Sequence, residues 1–118
     1  GFTTSSNWLT KTNVPTKRWS CSAGVVLGNK IYQIGGGVVD AVDKVVEIYD
    51  TTTDAWTTGT SLNNEQSHMF DSYAVSGGNI YILAYKQEVY YPDNDSWTNL
   101  NLDLKYYGAV TQFGINSI

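Results

Sequence analysis

The chain has 118 residues, of which 42% are hydrophobic, 14% aromatic and only 15% charged. That length holds one ordinary domain, and the aromatic content supports a packed core rather than a disordered polymer. A net charge of −4, a single Arg and no basic run exclude a nucleic-acid-binding surface. No apolar stretch approaches the roughly 20 residues of a membrane-spanning helix, and no signal-peptide pattern stands at Gly1. The lone Cys21 excludes an internal disulfide and any multi-cysteine metal site.

Gly, Thr, Asn and Ser interrupt the chain at short intervals, a pattern of short strands and tight turns. Thr3-Thr4-Ser5-Ser6-Asn7-Trp8 opens the chain with a turn and the start of a strand. Ser22 to Leu27 is a small apolar run. Gly28-Asn29 follows as a hairpin turn, since both residues tolerate positive φ. Lys30-Ile31-Tyr32-Gln33-Ile34 alternates polar and apolar residues, as a half-buried strand does. Gly35-Gly36-Gly37 ends it, and a long loop runs on to Lys44. Val45 to Tyr49 is a third strand, Asp50 to Asp54 a turn, and Ala55 to Thr58 a short fourth strand.

The pattern then repeats, and a repeat must be weighed before a fold is named. Tyr73-Ala74-Val75 before Gly77-Gly78-Asn79 matches the first hairpin, and Ile80 to Leu83 matches Ile31 to Ile34. Glu88-Val89-Tyr90 matches Glu47-Ile48-Tyr49, and Asp95-Ser96-Trp97 matches Asp54-Ala55-Trp56. Tyr and Trp stand seven apart in both copies. Trp8 and Trp56 are 48 residues apart, whereas Trp56 and Trp97 are 41 apart. The difference lies between the second and third strands, where Asn29 to Trp56 spans 27 residues and Asn79 to Trp97 spans 18. A period that changes in one loop while the strands keep step suits a repeat array. At the C-terminal end, Tyr107 to Phe113 reads as another first strand, and Gly114 to Ile118 as its turn and the start of a second.

Four antiparallel strands per unit at this period are the mark of a β-propeller blade. Val25 to Gly36, with its double glycine after an apolar strand, resembles the kelch motif, as do Val46 to Trp56 and Pro15-Thr16-Lys17-Arg18. The second unit departs from it, with Ala84-Tyr85 in place of the double glycine. The resemblance implies an all-β fold of kelch-type blades, an incomplete propeller within one chain. Residues 1–14 would be the trailing fourth strand and linker of a preceding blade. Residues 15–60 and 61–102 would be two blades, and 103–118 the first strand and start of the second of a further one. Tyr49, Trp56, Tyr90 and Trp97 read as packing between blades, because flat, largely apolar rings fill such wedges. Each blade alone leaves apolar faces open, so further blades of a parent chain or other copies of this chain are expected to cover them.

Arg18, His68 and Lys105 each stand nine or ten residues before the glycine that follows a first strand. In kelch adaptors that loop faces the channel mouth and meets acidic peptides. The resemblance therefore implies ligand contacts from Arg18, His68 and Lys105, with Trp19 beside Arg18 able to stack on a sugar or a side chain. The alternative for each is a loop residue paired within its own blade. Ser67, His68 and Asp71 hold the residue types of a nucleophilic triad but stand too close together in sequence to form one. One His gives no zinc site without several carboxylates, and Asp40 with Asp43 is too little for a cation. No catalytic residue, metal ligand or cofactor is expected. Asn94-Asp95-Ser96 is a glycosylation sequon that has meaning only on a secreted protein.

The function expected is non-catalytic binding of a protein or peptide, of acidic character, by loops on one face. A secreted carbohydrate-binding or sugar-active propeller is the alternative, compatible with a Thr-, Asn- and Ser-rich, Lys-poor composition and an extracellular setting. A structural ring or filament of short chains is a third.

Overall fold

The computed structural model describes residues 8–20, 22–38, 44–65, 73–84 and 86–100. Ten strands and no helix occur among them. In chain order they are β1 (Arg18–Ser20), β2 (Ala23–Leu27), β3 (Lys30–Ile34), β4 (Gly37–Val38), β5 (Val46–Asp50), β6 (Ala55–Thr58), β7 (Tyr73–Ser76), β8 (Asn79–Leu83), β9 (Gln87–Tyr91) and β10 (Ser96–Asn99). They form two four-stranded antiparallel sheets, β2-β3-β5-β6 and β7-β8-β9-β10, each a simple meander. The fold is therefore all-β, built of two four-stranded antiparallel units as the repeat spacing predicts. The sheets fall within residues 15–60 and 61–102. The strand expected over 107–113 and the chain before Trp8 lie outside the described residues.

The turns form for local reasons. Gly28 has φ 63° and joins β2 to β3, a conformation that costs a side-chain-bearing residue about 1–2 kcal/mol. Gly36 has φ 90°, and a Cβ built there would stand 2.5 Å from the Ser22 Cβ. Gly36 thus answers a close approach of two backbones. At the same point of the second blade Ala84 is buried. One pairing departs from expectation. Gly37–Val38, read from sequence as part of a loop, pairs antiparallel with Arg18–Ser20. This two-stranded ribbon stands apart from the four-stranded sheet.

Register divides each sheet into two faces. Val26, Ile31, Tyr49 and Trp56 stand opposite one another on one face of the first sheet, with Gln33, Glu47 and Thr58 in the next row. On the second sheet the corresponding row is Val75, Ile80, Tyr90 and Trp97, followed by Tyr73, Ile82, Glu88 and Asn99. This face of the second sheet packs on the other face of the first. Ala23, Val25, Tyr32, Ile34 and Val46 form one apolar core with Leu62, Ile80, Ile82 and Tyr90. Tyr32 meets Tyr90 edge-on at 5.8 Å, a favourable aromatic geometry.

The ends of the sheets differ. Gly28-Asn29, residues 51–54, Gly77-Gly78 and residues 92–95 are tight turns. The opposite end carries the long connections leaving Ile34 for Val46 and Thr58 for Tyr73, together with the short one from Leu83 to Gln87. Long connections at one end of a stiff scaffold are where binding residues usually reside.

Candidate functional site

Arg18, expected at an open rim, sits instead inside the first blade. Its side chain is almost fully buried beside that of Glu47. Nη1 donates to Glu47 Oε1 at 2.7 Å and to the Thr16 carbonyl at 3.5 Å. Nε donates to the Gly35 carbonyl at 2.9 Å, and Nη2 to the carbonyls of Gln33 and Val45. The guanidinium fork thus ties together the end of β3, the double glycine and the start of β5, and all five N–H groups have acceptors. The Thr16 hydroxyl donates to the other Glu47 oxygen at 2.9 Å. In this geometry Arg18 shapes the loop end and offers no free donor to a ligand.

Glu88 holds the same place in the second blade and is wholly buried, at 0% exposure. Its carboxylate accepts from the backbone N–H groups of Asn63 and Asn64 at 2.8 and 2.9 Å, and from Asn64 Nδ2 at 3.0 Å. Asn64 Nδ2 also donates to Asn99 Oδ1. A buried carboxylate is tolerable only when hydrogen-bonded in this manner. Both glutamates therefore fix the linker that leads into their own blade.

A second pair of nodes holds the same linkers at the sheets' outer side. The Thr12 N–H donates to Asp54 Oδ1 at 2.9 Å, and Trp56 Nε1 donates to the Thr12 carbonyl at 2.9 Å. The Thr60 N–H donates to Asp95 Oδ1 at 2.9 Å, and Trp97 Nε1 to the Thr60 carbonyl at 2.8 Å. Tyr49 and Tyr90 donate their hydroxyls to the same two aspartates at 2.7 and 2.5 Å. Each tyrosine ring lies about 5 Å from its tryptophan, at 5.1 and 4.9 Å. Asp54 and Asp95 both adopt positive φ, 54° and 50°. The Thr12 and Thr60 amides, followed by the tyrosine hydroxyls, hold the two carboxyls below the usual carboxylate range. The same bond, followed by burial, pushes the Tyr49 hydroxyl up to about 12.

Of the other expected ligand residues, Trp19 is the middle residue of β1. His68 and Lys105 lie outside the described residues, as do Asp40, Asp43 and Cys21. Asn94 is exposed in the β9–β10 turn. Sequence reasoning read Tyr49, Trp56, Tyr90 and Trp97 as packing residues and passed over Glu47, Glu88, Thr12 and Thr60. The signal for the threonines was present, because each stands four residues after a tryptophan, Trp8 and Trp56. Among the described residues, no three His, Cys, Asp or Glu side chains gather as metal ligands.

Comparison with known proteins places the kelch motif on residues 18–63. A search of curated proteins finds no match to the chain.

Proposed function

We propose that this chain, which carries a kelch repeat, serves as a non-catalytic binding module whose partner is a protein or an acidic peptide. Kelch repeats generally mediate protein–protein interaction and are generally non-catalytic. The observation that carries the reading is the contrast between the two ends of the sheets. One end is closed by tight turns alone, whereas the other sends out the long connections between Ile34 and Val46 and between Thr58 and Tyr73 beside the short one from Leu83 to Gln87. The Arg18–Glu47 and Glu88–Asn64 nodes brace that second end from within. In this reading Arg18 positions the loop end, while Trp19, His68 and Lys105 supply the contacts to the partner. A cationic contact suits a carboxylate-rich segment.

The test is selection from a displayed peptide library of random sequence. Enrichment of Asp- and Glu-containing peptides, lost on His68→Ala or Lys105→Ala, supports the reading. Failure to enrich any sequence, or binding indifferent to both substitutions, defeats it.

A further inference from the structure

Given a peptide partner at the end of the sheets that carries the long connections, the reading on which this rests, we infer that Lys17 and Glu65 orient it as an opposed pair of charges. An Asp or Glu of the partner lies over the first blade, against Lys17. A Lys or Arg lies over the second, against Glu65, about three residues away along an extended segment.

Lys17 and Glu65 hold the same place in successive units. The linker into each sheet starts from a threonine, Thr12 or Thr60, held by an aspartate and a tryptophan of that sheet. Lys17 and Glu65 each stand five residues after that threonine. The chain bends at the matching residues 15–16 and 63–64 just before them. Thr16 and Asn64 are matched as well, since the first donates to Glu47 and the second to Glu88.

These anchors decide where the two charges go. Thr16 and Arg18 both turn inward to one carboxylate, that of Glu47. Lys17 lies between them and is exposed. Glu65 follows the anchored Asn64 and is exposed as well. Neither side chain has a hydrogen-bond or ion-pair partner among the described residues. Arg18 spends its donors inside the blade, and Lys44 is half-buried. Lys17 is therefore the cation that this end of the first blade presents among the described residues. Because its neighbours on both sides are held, the backbone beneath it has little freedom left to lose on binding.

The spacing follows from the packing of the sheets. The two sheets share one core, and sheets packed face to face stand about 10 Å apart. An extended chain covers that distance in about three residues, at roughly 3.3 Å each. A segment acidic throughout would bring a like charge to Glu65, which costs affinity. The favoured segment is acidic over the first blade and basic over the second, so the pair gives the partner a direction as well as a composition.

The test runs the selection from a displayed random library on three chains: unaltered, Lys17→Glu and Glu65→Lys. All three should share one urea midpoint, because both positions are exposed. The unaltered chain should enrich peptides that pair Asp or Glu with Lys or Arg about three residues apart. Lys17→Glu should replace the acidic position of that motif by Lys or Arg. It should also bind the original peptides about tenfold more weakly, an effect that fades in high salt. Glu65→Lys should replace the basic position by Asp or Glu. Lys30→Glu, beside the tight Gly28-Asn29 turn at the other end, should change nothing. Original peptides bound equally by all three chains, or weakened as much by Lys30→Glu as by Lys17→Glu, overturn the inference and leave peptide binding standing. Enrichment of no sequence by the unaltered chain overturns it together with the reading on which it rests.

Discussion

Thr60 and Asp95 grip each other across the joint between the two sheets. The threonine donates its N–H to Oδ1 and its hydroxyl to Oδ2, both at 2.9 Å. Tyr90 donates to the same carboxylate, which stands on a residue at φ 50°. Asp95→Ala removes a charged acceptor from three donors and sets alanine in a left-handed conformation. The expected loss is about 2–4 kcal/mol by urea denaturation. Asp95→Asn, which tolerates the backbone and keeps one acceptor, should lose less. Equal losses would show that the backbone conformation plays no part.

The aspartate nodes predict how stability follows pH. The folded-state pKa values of Asp54 and Asp95 are depressed by the amides of Thr12 and Thr60 and by the tyrosine hydroxyls. Their contribution is present above the unfolded carboxyl value of about 3.9 and disappears as pH falls through the lower folded values. At the alkaline end the sign reverses, because Tyr49 is raised to about 12. Its contribution is whole below about 10 and is lost as pH climbs towards the folded value. Urea midpoints should therefore fall below about pH 4 and above about pH 10. Asp54→Asn should flatten the acid limb and return the phenolate absorbance of Tyr49 towards the ordinary range.

Arg18→Ala should cost about 3–5 kcal/mol, because it leaves Glu47 buried without its cation. That is a large part of the roughly 5–15 kcal/mol that holds a domain folded. Replacing both partners, Arg18→Met with Glu47→Leu, should cost less than Arg18→Ala alone. A double variant as unstable as the two single losses added together would show that the carbonyls of Gly35, Gln33 and Val45, rather than Glu47, are what Arg18 serves.

Two glycines separate conformational need from lack of space. A Cβ at Gly28 meets nothing within 4 Å, so Gly28→Ala should cost only the left-handed backbone, about 1–2 kcal/mol. At Gly36 the added carbon meets Ser22 Cβ at 2.5 Å and its Cα and N at 2.7 Å. Gly36→Ala should be worse by about 1–3 kcal/mol, the cost of overpacking. Equal thermal midpoints for the two variants would refute the close-approach account.

Much of the fold was readable before the structure. The alternation over Lys30–Ile34, the Gly28-Asn29 turn and the seven-residue Tyr–Trp spacing mark local properties of the chain, and they locate strands and repeat together. What escaped depends on residues far apart. Gly37–Val38 is too short to show alternation, and its partner strand begins at Arg18. Arg18 reads as a free cation until Glu47 is known to reach it. Glu47 and Glu88 give no sign of their burial in the sequence, because a pleat alone does not reveal that a linker covers that face. The site was legible as a loop end, but the internal bracing there was not.

The threonine joints also determine how the molecule would carry a load. A pull on the chain ahead of Lys11 is transmitted first to the two bonds that Thr12 donates to Asp54 and the one it accepts from Trp56. These join the linker to the far turn of the sheet, so tension arrives at the β5–β6 hairpin before it reaches β2. The inner hairpin is thereby sheltered from forces along the backbone. Each blade in such an array is anchored at its outer edge by the segment that announces it.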